Sequence, residues 1–261
     1  MPKQDAITNQ REQEILRAVQ AAGGSCRIGF LARQLNVSDE TIRRNIKSLE
    51  ASGLVKKVHG GVSLTGLVSV EEPPFLRRMG RNTEIKKALA AHVAKKIENG
   101  DSLILDVGST TAFVARALQH HQNLYVVTNS IAVAHMLTSR NNNRVFLAGG
   151  ELRALDGAAF GLGAVDFIKQ FNVKYAILSA TAVNAKHGFM LSDIQEADIS
   201  CAAMSQAETS IVIADNSKFG MKAPVKVKKL ENIDMLVTDM PPDAQVAAML
   251  DENDIEVEVL T

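Results

Sequence analysis

Three observations predict an α/β protein in two parts. Between Ile28 and Val62, apolar residues recur at helical spacing in two short runs, then give way to two strand-length segments around a glycine turn. From Ser102 onward, six short apolar runs alternate with helical patterns, as expected of a doubly wound, mainly parallel α/β sheet covered on both faces. Charge divides the chain near the same place: residues 1 to 87 hold 15 Lys+Arg against 9 Asp+Glu, and residues 88 to 261 hold 14 against 20. A neutral whole thus joins a half at +6 to a half at −6, and the halves face different partners.

At 261 residues the chain is long enough for one small and one larger domain. Cys26 and Cys201 are too few and too far apart to imply a disulfide framework or a metal site. The polar start MPKQDAITNQREQEIL has no apolar signal core, and no run reaches the ~18 apolar residues of a membrane span. A cytoplasmic protein without a membrane partner is expected.

The first helix is expected over Ile7 to Ala22, with Ile15, Leu16 and Val19 on its apolar side and Gly23-Gly24 as its stop. Leu31 and Leu35 lie four apart on a second helix; after the Asn36-Val37 break, Ile42, Ile46 and Leu49 share one face of a third. Ser38 is placed to cap that helix, and Asp39 and Glu40 complement its positive end. Its opposite face then presents Thr41, Arg43, Arg44, Asn45, Lys47 and Ser48 outward. Past Gly53, a C-cap, the segments LVKKV and VSL flank His59-Gly60-Gly61 and read as a wing. A helix-turn-helix with a wing lays its last helix in a major groove, where base edges are read and neighbouring cations hold phosphates. Ser38, Thr41, Arg43, Arg44, Asn45 and Lys47 on the helix, and Lys56, Lys57 and His59 on the wing, are therefore the candidate contacts to double-stranded DNA.

Thr65 to Pro74 loses helical periodicity and contains Gly66 and Pro73-Pro74, which marks a linker. The expected organisation is a winged helix-turn-helix over 1–64, a linker over 65–82 and an α/β effector domain over 83–261. Thr83 to Ile97 is an amphipathic helix with Ile85, Leu89, Val93 and Ile97 aligned. Strands are expected at SLILD (102–106), LYVVT (124–128), RVFLAG (144–149), YAILSA (175–180), TSIVIAD (209–215) and DMLVTD (234–239), with IEVEV as an edge strand. Helices are expected at Thr111–Leu118, Ser130–Thr138, Val165–Phe171, Ile194–Ala207 and Pro242–Leu250.

Open α/β sheets bind ligands beyond the carboxyl ends of their strands, often at a helix start. DVGSTT stands at such a place: Asp106 organises the loop, Gly108 allows close approach, and Ser109, Thr110 and Thr111 add hydroxyls to backbone N–H groups as an anion cradle. Asn129 and Ser130, Gly149 and Gly150 with Arg153, and Asp215 with Lys218 each follow another strand. Arg153 and Lys218 are the cations placed to neutralise a phosphate.

VSDETIRRNIKSLEASGLVKKVHGG resembles the winged helix-turn-helix of DeoR-type bacterial transcription regulators, VSxxTIRRDLxxLExxGLxxRxHGG, with Asn45 in place of Asp and Lys57 in place of Arg. DVGSTT, VVTNS, LAGGELR and ADNSKFG resemble that family's effector domain, so the resemblance spans nearly the entire chain. It implies a fold similar to ribose-5-phosphate isomerase and a pocket for phosphorylated sugars or related metabolites. The runs GGELR, DFIKQF and TDMPP resemble family members of the glycerol-3-phosphate type, which makes glycerol 3-phosphate a candidate effector. After the fourth strand this chain has Ser179-Ala180-Thr181-Ala182 where the family tends to have Gly-Ala-Asp-Gly, in a loop placed to meet the sugar end of a ligand.

The rival reading is a sugar-phosphate isomerase-like enzyme with an attached DNA-binding domain. Proton abstraction needs a carboxylate or His beside the reacting carbon. Asp106, Asp193, Glu196, Asp215 and His187 qualify by type, but none has company that marks a base. His120-His121 and His187 have no partners at metal-ligand spacing, so neither metal nor cofactor is expected. A repressor released by its ligand, working as a homodimer or homotetramer on paired half-sites, is the expected mechanism.

Overall fold

A computed structural model describes residues 10–22, 25–58, 60–64 and 73–260. Outside them lie the expected helix start at Ile7, its Gly23-Gly24 stop, His59 and residues 65–72 of the expected linker.

The N-terminal unit runs α1 (Gln10–Ala21), β1 (Ser25–Arg27), α2 (Ile28–Gln34), α3 (Asp39–Ala51), β2 (Val55–Val58) and β3 (Gly61–Leu64). Ile15, Val19, Leu31, Ile42, Ile46, Leu49, Val55 and Val62 form its core. Ser38 Oγ accepts the Thr41 N–H at 3.2 Å, so α3 starts where its cap dictates. Gly53, at φ +72°, ends it: the Gly53 N–H donates to Glu50 and the Leu54 N–H to Leu49, a Schellman turn that satisfies two orphan carbonyls. Strand β1 was not expected, because three residues are too short to show alternation. It pairs with β3 so closely that a Cβ at Gly61 would lie 2.5 Å from the Cys26 carbonyl oxygen.

Helix α4 (Phe75–Met79) falls inside the stretch expected to be linker. Tertiary contacts hold it: the Phe75 N–H donates to the Leu155 carbonyl at 3.0 Å, and Arg78 lies 2.7 Å from Asp156. There follow α5 (Thr83–Ala94), β4 (Ser102–Leu105), α6 (Ser109–Ala117), β5 (Tyr125–Thr128), α7 (Ile131–Leu137), β6 (Arg144–Leu147), β7 (Leu152–Arg153), β8 (Ala158–Ala159), α8 (Leu162–Ile168) and β9 (Val173–Ser179). The chain continues through β10 (Ala182–Asn184), β11 (Gly188–Leu191), α9 (Ile194–Met204), β12 (Ala207–Ile213), β13 (Val225–Lys226), β14 (Met235–Thr238), α10 (Ala244–Asp251) and β15 (Glu256–Val259). Helix α8 starts three residues before the expected Val165, and α9 stops at Met204 because Ala207 already belongs to β12. The β7–β8 hairpin and the small β10–β11–β13 sheet were not expected; their strands are only two to four residues long.

The main sheet has the order β15-β14-β12-β9-β4-β5-β6, and every neighbouring pair is parallel. Alternation divides its side chains between two cores. Leu103, Leu105, Val126, Ile177 and Ile213 pack under α5, α6 and α7, while Ile104, Val127, Ala176, Leu178 and Val212 pack under α8, α9 and α10. The chain builds outward from β4 in one direction through β5 and β6, then returns to the other side of β4 with β9. The crevice beyond the carboxyl ends of β4 and β9 is thus the switch point of the sheet.

Gly61→Ala should lower the stability of the N-terminal unit by ~1–3 kcal/mol, because the added methyl meets backbone that cannot yield. Gly29→Ala, in α2 with open space around its Cα, should be neutral or stabilising. Urea unfolding followed by circular dichroism compares them; equal losses in the two variants would contradict the packing described.

Candidate anion pocket and nucleic-acid interface

At the switch point Asp106 follows the last residue of β4 and Ser179 closes β9. The Ser179 N–H donates to Asp106 Oδ2 at 3.0 Å, and the Ser179 hydroxyl lies 3.4 Å from the same oxygen. Asp106 Oδ1 is buried without a hydrogen-bond partner. Burial pushes this carboxyl up to about 7, against the opposing pull of the Ser179 and Thr111 hydrogen bonds and the Arg78 charge. The pocket beside it is lined by Asp106, Ser109, Thr110, Ser179 and Thr181, with Arg78, Glu196, Ser200 and Lys218 around them.

Beneath the cradle lies Lys86, only 4 % exposed, whose ammonium donates to Ser109 Oγ at 2.8 Å and to the Arg78 carbonyl at 2.6 Å. Sequence reasoning missed it among the lysines of IKKALAAHVAKKI. The signal was available: Lys86 precedes Leu89, Ala90 and Val93 by three, four and seven positions, which puts it on the buried face of α5. Arg78 was missed because its helix was taken for linker, and Ser179 and Thr181 because only the family departure drew notice to their loop.

Of the expected effector residues, Asp106, Ser109, Thr110 and Lys218 line this pocket. Thr111 is fully buried and donates to the Asp106 and Gly108 carbonyls at 3.0 Å, so it shapes the loop from inside. Gly108 is needed for packing, since a Cβ there would overlap the Ser179 hydroxyl. Asn129 donates to the Ala159 carbonyl and Ser130 bridges to Ala158, so both anchor β8, while the Ser130 hydroxyl caps α7. Gly149 and Gly150 join β6 to β7, away from the lining. Asp215 accepts from Asn82 and Ser217 and lines the wider cavity beside Lys218.

Arg153 is the main correction. Its guanidinium lies 2.7 Å from Asp156, 3.3 Å from Asp193 and 3.0 Å from Glu196, and it stacks 3.7 Å from the Phe160 ring centroid. Three carboxylates already occupy its charge, so it braces the pocket wall through Glu196 instead of facing a phosphate.

On α3, Arg43, Arg44, Lys47 and Ser48 are exposed, as the helical period requires, and Thr41 is half-buried. Asn45 departs from expectation: it is 8 % exposed and donates to the Thr41 carbonyl at 2.8 Å. Its position three after Ile42 and four before Leu49 sets it at the flank of the inner face, which the count of outward residues overlooked. On the wing, Lys57 lies 3.6 Å from Glu50, and Lys56 lies 3.3 Å from Asp243, the N-cap of α10. Ser63 donates to Met221 Sδ at 2.9 Å. A cavity of about 600 Å³, lined by Arg27, Phe30, Arg81 and Lys218 among others, lies between the wing unit and the sheet domain.

Among the described residues, no cluster of His, Cys, Asp and Glu is arranged to hold a metal, and no helix is long and apolar enough to cross a membrane.

Two family models match the chain: a DeoR-like helix-turn-helix domain over residues 11–66 and a DeoR C-terminal sensor domain over residues 81–240. The glycerol-3-phosphate regulon repressor of Escherichia coli (strain K12) is 34% identical over 229 residues, 88% of this chain and 90% of that protein. The HTH-type transcriptional repressor CsqR of the same organism is 33% identical over 95% of this chain and 94% of its own, and the HTH-type transcriptional regulator IolR of Bacillus subtilis (strain 168) is 26% identical over 90% and 92%. Ribose 5-phosphate isomerase A from Methanocaldococcus jannaschii superposes with a TM-score of 0.40 at 15% identity, over 53% of this chain and 55% of that one. The relatives found by sequence are named for repression and regulation, so the enzyme reading is not favoured. With its DNA-binding module and its sensor domain both matched, the chain belongs to the DeoR family of transcriptional regulators.

Proposed function

We propose that this regulator represses a sugar or polyol catabolic operon, binds paired half-sites of double-stranded operator DNA as a homodimer or homotetramer, and is released when a phosphorylated metabolite fills the switch-point pocket. The observation that carries the reading is the buried Lys86 donating to Ser109 Oγ at the start of α6, with Lys218 lining the pocket that Ser109 faces. A phosphomonoester brings close to two negative charges at neutral pH and three acceptor oxygens, which matches backbone donors, hydroxyls and cations at a helix start. Asp106 Oδ1, buried and unpartnered, is suited to a ligand hydroxyl at the other end. Glycerol 3-phosphate is the first compound to test, because a relative bears that regulon's name.

Release requires that the ligand bind two conformations unequally. Lys56 supplies a physical handle: while it pairs with Asp243 it is not available to a DNA phosphate. A conformation with the wing on the sensor domain therefore competes with the operator-bound one.

Lys218→Ala should leave operator affinity intact yet blunt ligand-induced release, since the change touches only the sensing side of a coupled equilibrium. Calorimetry with glycerol 3-phosphate and a panel of sugar phosphates, beside operator release, tests it; failure of every phosphorylated compound to bind the parent would sink the sensing reading. Arg44→Ala should weaken specific binding by ~1–3 kcal/mol if its guanidinium meets a base edge. Gel-shift titrations in which Arg43→Ala and Arg44→Ala both match the parent would take α3 out of the groove.

Asp106 adds a pH dependence. Its folded pKa of about 7 lies above the ordinary 3.8, so the folded chain holds a proton that the unfolded chain has released. That contribution is complete below the unfolded value and is lost as pH rises through 7. Melting temperatures of the parent relative to Asp106→Asn should fall by on the order of 5 °C between pH 5 and 8. A constant difference across that range would mean that the carboxylate is ionised throughout.

A further inference from the structure

Eight large apolar side chains are exposed among the described residues, and seven of them surround one feature, the β7–β8 hairpin. Leu152 and Leu155 lie in the hairpin itself. Leu76 follows Phe75, whose N–H is bonded to the Leu155 carbonyl; Ile131 donates its N–H to the Gly157 carbonyl; Ile194 follows Asp193, which pairs with Arg153. Leu147 ends the edge strand β6, two glycines before the hairpin, and Leu162 opens α8 just after it. The eighth, Phe30, belongs to the winged unit. All seven therefore stand on the sensor domain, around a point held in place by backbone hydrogen bonds and ion pairs.

We infer that this face is where a second copy of the chain docks. The inference rests on the proposed reading of the protein as a regulator of paired half-sites, and it names the surface that would hold the pair. Weighted by exposure, the seven side chains present on the order of 600 Å² of apolar surface, against the ~800 Å² that each partner buries in a standard interface and the 300–600 Å² of the largest patch on an ordinary monomer. One winged module reads one half-site, so two modules must be held at fixed spacing by some other surface of the chain. A patch of leucine and isoleucine is complementary to itself across a two-fold axis, because apolar surface needs no opposite charge to meet. The open edge of β6 lies alongside, since among the described residues no further strand continues the sheet there.

The place of the face gives it a second property. Asp156 in the hairpin turn holds Arg78 at 2.7 Å, and Arg153 in β7 holds Glu196 at 3.0 Å; Arg78 and Glu196 both line the pocket. The docking face is thus the back of the pocket wall. Whatever displaces those two residues displaces the hairpin on which the second copy rests.

Leu76 and Leu162 are each 82 % exposed, so replacing them removes almost no contact within one copy. An acid at position 162 also falls in the first turn of α8, where the helix dipole favours it. Sedimentation velocity of the full chain across low to high micromolar concentration should show the parent as a dimer or larger. The Leu76→Asp/Leu162→Asp variant should sediment as a monomer, with self-association at least 100-fold weaker and the far-UV circular dichroism of the parent. Should the double variant lose that spectrum, Leu162→Asp alone decides the matter by the same measurement. If the parent assembles and the variants assemble equally well, the docking face is wrong while the paired reading stands. If the parent is a monomer throughout and still binds operator in a gel shift, both are wrong.

Discussion

The hydrogen bond from the Ser179 N–H to Asp106 joins the ends of two strands across 73 residues of chain, and both of its partners line the pocket. Parallel strands diverge beyond their carboxyl ends at a switch point, so something must tie the two loops together if their polar groups are to face one cavity. A carboxylate does this at a cost, because burial disfavours its charge. That cost shows as a carboxyl pushed up to about 7, one of whose oxygens has no partner. Gly108 and Thr111 serve the same junction, the first by yielding room to Ser179 and the second by bonding back to the loop carbonyls.

Around this junction the cations divide by what occupies their charge. Arg153 is surrounded by Asp156, Asp193 and Glu196 and covered on one face by Phe160, which makes it a brace. Lys86 lies beneath Ser109, and Lys218 reaches the rim where the pocket meets the larger cavity under the wing. The winged unit meets the sensor domain through Lys56 and Ser63, and the cavity between them is lined by Arg27 and Phe30 from the first and by Lys218 from the second. Linkage between two sites needs an element with two arrangements, and in the function proposed above the wing is that element, resting on Asp243 in the arrangement seen here.

Much of the fold was legible in order. Six apolar runs became strands of one parallel sheet, IEVEV became its edge, and the capping pattern at Ser38 and Gly53 set both ends of α3. Strands of two or three residues were not legible: β1, the β7–β8 hairpin and β13 have no period to detect and exist only because a neighbour pairs with them. Helix α4 is similar, since a five-residue helix is marginal by itself and is held by Leu155 and Asp156.

The sequence by itself determined the winged helix-turn-helix, the parallel sheet and the DVGSTT turn into α6, because each depends on contacts within a few residues: helical period, strand period, caps and glycine turns. Only the tertiary structure decided which polar groups share the cavity. It turned Asn45 inward, gave Arg153 to three acids and brought Arg78, Lys86 and Ser179 to the loop after β4. The physical reason is that a charge is defined by what surrounds it. An arginine after a strand end and a lysine on an amphipathic helix look alike in a sequence until packing decides which one meets a carboxylate and which one is buried against a serine hydroxyl and a backbone carbonyl.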